Sequence, residues 1–124
     1  MARLTMPALL LSFAACGGTG SPSPSPTPAN PYVITITSAG NVTPTELTVP
    51  PGTRVLFTNN HTRRHDMASD PHPDHDDCPA INQAGGLNPG QSKETGNLVQ
   101  VRTCGFHDHD DADNAALKGR IVVR

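Results

Sequence analysis

The sequence predicts an all-β sandwich held behind a leader and a linker. Three observations carry that reading. The 124 residues include 13 Pro and 11 Gly, too many for a helical bundle. Short β-branched runs recur between clusters of turn residues. No amphipathic helical period stands out beyond one turn near Asp111–Leu117. Length limits the chain to one domain.

Residues 1–15, MARLTMPALLLSFAA, place Arg3 before an apolar run that ends in small residues. This is the pattern of a secretory signal, too short for a membrane span of about 20 residues. Cys16 follows directly, which resembles the bacterial lipobox, with Phe13 where Leu is usual. The resemblance implies a lipid on Cys16, a membrane anchor and a periplasmic or extracytoplasmic location. Residues 16–31 then read as the lipidated Cys and a Gly-, Ser- and Pro-rich tether.

The domain is expected over 32–124. Its strand candidates are Tyr32–Thr37, Glu46–Val49, Thr53–Asn59, Asn97–Cys104 and Gly119–Arg124. Their alternation and spacing suit a β-sandwich. With only one Tyr, three Phe and no Trp, the core is thin, and small cores often gain a metal or a disulfide. The net charge of −2 and the scarcity of aromatics argue against nucleic acid as a partner.

The chemistry is concentrated in two segments, 61–79 (HTRRHDMASDPHPDHDDCP) and 104–113 (CGFHDHDDAD). They hold all six His, both Cys beyond the leader, and nine of the eleven acidic residues. Imidazole with thiolate favours copper, zinc or iron over hard cations. No EF-hand spacing is present. The Asp residues form a negative rim suited to metal ions and basic partners, and they also serve as turn formers.

Residues 42–124 resemble the cupredoxins, the superfamily of plastocyanin and azurin. Val55–Thr58 leads into Asn59-Asn60, and His65 follows at the offset of the first copper His in plastocyanins. Pro89-Gly90-Gln91-Ser92 resembles the turn before the late hairpin. Cys104 and His107 have the plastocyanin Cys-x-x-His spacing, and Gly119–Val123 resembles the terminal strand. The resemblance implies a Greek-key β-sandwich of cupredoxin type with long metal-binding loops. It also implies a mononuclear type 1-like copper site on His65, Cys104 and His107, cycling between Cu(II) and Cu(I). The implied function is electron transfer by a monomer that meets a redox partner protein or a copper donor or acceptor.

The pattern departs from the family at several points. Leu117 occupies the usual place of the axial Met, so Met67, two residues after His65, is the alternative axial candidate. His109 has the azurin spacing from Cys104 and competes with His107. Cys78 is a further candidate ligand, or the partner of Cys104 in a disulfide, since leftover thiols of secreted proteins usually pair. A Cys78–Cys104 bond leaves a His-based copper or zinc site, and the function then becomes metal buffering, delivery or resistance. His72 and His75 are a candidate second metal pair, or simply solvated loop residues. No paired carboxylates, nucleophile motif or phosphate loop supports an enzyme.

Overall fold

A computed structural model describes residues 17–18, 20–23 and 29–124. The leader and Cys16 lie outside the described residues. Nine strands run from Val33 to Val123 and form two mixed sheets. They are β1 (Val33–Ile36), β2 (Val42–Thr43), β3 (Glu46–Val49), β4 (Leu56–Asn59), β5 (His65–Ser69), β6 (Gly85–Leu87), β7 (Ser92–Glu94), β8 (Arg102–Asp108) and β9 (Gly119–Val123). The first sheet has the order β2-β1-β4-β7 and the second β3-β9-β8-β5-β6. Parallel pairs join β1 to β4 and β3 to β9; the other strand pairs are antiparallel. The all-β sandwich expected from the sequence is the observed architecture.

Alternation fixes the two inner faces. Ile34, Ile36 and Phe57 from the first sheet meet Met67, Leu87, Phe106, Ile121 and Val123 from the second in one buried cluster. Phe57 and Phe106 meet edge-on across the sandwich, with ring centroids 5.2 Å apart. Such a pair contributes about 1 kcal/mol beyond its buried area. Short 3-10 turns at Pro79–Gln83, His109–Asp111 and Ala115–Leu117 are the helical elements of the described residues.

The short strands β2, β6 and β7 have no counterpart among the expected strands, and two further differences set the site. The segment around His65 was expected as a loop and forms β5, paired with β8 through Met67↔Asp108, Ala68↔His107 and Ser69↔Phe106. The late strand was expected over Asn97–Cys104 and instead spans Arg102–Asp108. Val99 and Val101 are its apparent β-formers, yet they are exposed in irregular chain. Pairing with both β5 and β9 extends β8 through the motif the sequence presents as a loop.

Candidate metal centre

The pleat of β8 separates residues that the sequence places together. Residues i and i+2 share a face, whereas i and i+3 do not. Cys104, Phe106 and Asp108 therefore point to the inner face, and His107 points to the outer one. Cys-x-x-His on a loop can converge on one ion; on a continuous strand it cannot.

Cys104 is also consumed. Its sulfur is bonded to Cys78, with Cα atoms 5.8 Å apart. The assignment of Cys104 as a thiolate ligand is therefore corrected, as is that of Cys78: each is half of a disulfide. The bond ties β8 to the end of the segment that follows β5. Met67 and Leu117, the two axial candidates, are wholly buried in the apolar core.

His65 lies in an inner polar cluster. Its Nδ1 donates to Asp108 Oδ2 at 2.7 Å, and its Nε2 lies 2.8 Å from His61 Nδ1. Asp108 Oδ1 accepts from the backbone N–H groups of Asp66 and Asp110. His65 and Asp108 are both buried. A buried pair with this many partners meets the requirement for placing charge inside a fold. Both ring nitrogens of His65 are occupied.

On the outer face, His72, His75, His107 and His109 converge. Each offers a ring nitrogen, and these four atoms lie within 4.8 Å of one another. His72 and His75 come from the segment between β5 and Cys78. His107 comes from β8, and His109 from the 3-10 turn that follows it. His75 stacks on His107 with centroids 5.0 Å apart. A metal–nitrogen bond of about 2.0 Å sets ligand atoms roughly 3.3–4 Å apart, so this envelope is within about 1 Å of a coordination shell.

Hydrogen bonds fix two of these rings. His107 Nδ1 lies 2.6 Å from Asp70 Oδ1 and donates to it. That places the lone pair on Nε2, which is buried and has no hydrogen-bond partner. Orphaned buried nitrogens are rare because each costs about 1–3 kcal/mol. A histidine with a carboxylate behind one nitrogen and a lone pair on the other is the usual form of a metal ligand. Gly105 makes this possible: a Cβ there would collide with the Asp70 carboxylate.

His75 is fixed by its backbone as well. Its φ of 55° lies in the left-handed region, where only this described non-glycine residue sits. Its N–H donates to Pro71 O, its Nδ1 to Ser69 O at 2.9 Å, and its carbonyl accepts from Asn82 Nδ2. These contacts leave Nε2 facing His109 Nδ1 at 2.9 Å. Strained backbone held by several bonds is characteristic of functional positions.

His72 is exposed, between Pro71 and Pro73. Loss of hydration, followed by repulsion from His109, His107 and His75, lowers its pKa below the ordinary value, with Asp113 opposing. The lowered value keeps its ring neutral and able to donate a lone pair.

The arrangement of these strands matches solved structures over three-quarters of the chain. A purple cupredoxin from Nitrosopumilus maritimus superposes with a TM-score of 0.59 at 20% identity, covering 75% of this chain and 99% of that one. The fold is that of the cupredoxins. Plastocyanin from Dryopteris crassirhizoma, in its oxidised form, gives 0.57 at 21% identity, covering 74% and 99% of the two chains. A mutant amicyanin in its Cu(I) form gives 0.57 at 16%, covering 75% and 81%. No protein-family model and no curated protein sequence matches the chain. On this cupredoxin sandwich, the sequence-predicted residues divide into four places: His107 and His109 in the outer cluster, His65 in the inner one, Cys78 and Cys104 in the disulfide, and Met67 and Leu117 in the apolar core. The spacing of His72 and His75 suggests a pair, but their meeting with His107 and His109 depends on the strands at 65–69 and 102–108, which carry no local signal.

Proposed function

We propose that this cupredoxin-fold domain is a copper-binding protein whose ion is held by His72, His75, His107 and His109. The observation that carries the reading is the buried, unpartnered Nε2 of His107 at the centre of a four-imidazole cluster. Four nitrogen donors suit Cu(II), which also outranks zinc in intrinsic affinity for such sites. The Cu(I) named for the amicyanin neighbour supports the same metal. Zinc is the second metal such a donor set accepts.

Bound copper would supply a redox-capable, Lewis-acidic ion. The chain's own residues would orient the ligands: Asp70 and Ser69 set the tautomers of His107 and His75, and the disulfide holds the two ligand segments together. With Cys78 and Cys104 joined in a disulfide, no thiolate among the described residues is available to give a type 1 site. The reading is therefore metal handling, meaning buffering or delivery, by a binding protein and not an enzyme. Electron carriage is the second reading, favoured by the oxidised and reduced plastocyanin structures that share the fold. In either case the leader and Cys16 support an extracytoplasmic, lipid-anchored location, with the tether giving the domain reach towards a partner protein.

Titration of the purified chain with Cu(II), followed by calorimetry, tests the proposal. One tight equivalent, lost in His107→Ala, is expected. Absence of binding, or equal binding by His107→Ala, would overturn it. Reversible voltammetry of the loaded protein would move the function to electron carriage; irreversible loss of copper on reduction supports handling.

A further inference from the structure

The four ligands are not equivalent. His107 is buried and fastened to Asp70, and His75 is fastened to Ser69 and Asn82. His72 and His109 are exposed. His72 makes ring contacts at 5.2–5.5 Å with the other three but no hydrogen bond. His109 is held only by the bond from its Nδ1 to His75 Nε2, which a bound ion would have to replace. An open cleft whose walls include Asp74, His75, Asn82 and His109 reaches the cluster from the surface.

We infer that the site is a transfer site, with His107 and His75 as its retaining pair and His72 and His109 as its exchange face. The partner is a metal acceptor that offers its own nitrogen ligands at the cleft. Its first ligand replaces His72 or His109 while His107 and His75 still hold the ion, so no free ion is released. One metal–nitrogen bond forms as one breaks, and neither ion nor protein changes oxidation state. The inference rests on the copper-binding reading. Asp70 is a positioning residue in it: it touches the ligand and not the ion.

The test uses the purified full chain loaded with one equivalent of Cu(II), with the tripeptide Gly-Gly-His as acceptor. Transfer is followed by the absorbance of the copper–peptide complex. The expected transfer rate rises in proportion to peptide concentration. His72→Ala should speed transfer about tenfold while weakening copper binding no more than about tenfold, and Asp70→Ala should weaken binding by about 10–100-fold. In the metal-free chain, nitrogen NMR should find the His107 proton on Nδ1. A rate independent of peptide concentration, equal affinity losses in His72→Ala and His107→Ala, or a His107 proton on Nε2 would each overturn the inference. Failure of the chain to load copper at all would overturn the underlying reading as well, and the loading step shows which has failed.

Discussion

Two histidine clusters lie on opposite faces of the same strand pair, β5 and β8, and they differ in what is left over. In the inner cluster, His65 spends one nitrogen on Asp108 and the other on His61. In the outer cluster, His107 spends one nitrogen on Asp70 and leaves the other buried and unpaired. Both histidines are backed by a carboxylate and both are buried. Residue type does not distinguish a structural histidine from a ligand; the accounting of lone pairs does. The inner cluster pairs both nitrogens of its buried histidine, and the outer one leaves a buried nitrogen unpaired.

The comparison breaks most readily by exchanging the roles of the two histidines. His107→Ala should reduce copper affinity by more than about 100-fold, since it removes the ligand with the unpaired nitrogen. The same variant should cost the metal-free fold little. Asp108→Ala should do the reverse: it strands His65 and should destabilise the fold by about 3–5 kcal/mol. Thermal melts of the metal-free variants, set beside their copper titrations, check both.

The disulfide gives a smaller effect on both properties. A cross-link between residues 26 apart contributes about 3–4 kcal/mol by restricting the unfolded chain. The double variant Cys78→Ala, Cys104→Ala should lose that much stability in denaturant unfolding. It should also bind copper more weakly, because the His72–His75 segment is no longer fastened to β8.

The smallest effect is on pH dependence. Only a neutral imidazole ligates, so copper affinity should fall on acidification. Loss of hydration, then repulsion from the neighbouring imidazoles, lowers the pKa of His72, so it yields to protons at lower pH than an ordinary imidazole would. Affinity measured across about pH 7.5 to 5.5 should decline less steeply than four ordinary histidines would give. A four-proton slope across that range would show that His72 competes with protons like an ordinary imidazole and would contradict its lowered pKa.

The legible parts of the fold were those with local signals. β1, β3, β4 and β9 follow from β-branched alternation stopped by Pro and Gly, as at Val49-Pro50-Pro51-Gly52. β5 carries no such signal: His65-Asp66-Met67-Ala68-Ser69 is a strand because β6 and β8 pair with it on either side. The same non-local pairing extends β8 through Cys104–Asp108. The His- and Asp-rich segments are visible from composition, and so is the competition between a thiolate ligand and a Cys78–Cys104 bond. Which histidines meet was not visible, since it depends on strand parity: reading 104–107 as a loop put Cys104 and His107 at one ion, and the pleat puts them on opposite faces. Gly105 marks the difference, because a Cβ there would collide with the Asp70 carboxylate that backs His107.

The central claim is that copper binds to the outer histidines and not at Cys104 or His65. The most direct test is electron paramagnetic resonance, with the visible spectrum, of the chain carrying one equivalent of Cu(II). Nitrogen hyperfine structure with only a faint visible band is expected, lost in His107→Ala and retained in His65→Ala. An intense thiolate-to-copper band, or a signal that depends on His65 and survives His107→Ala, would contradict it.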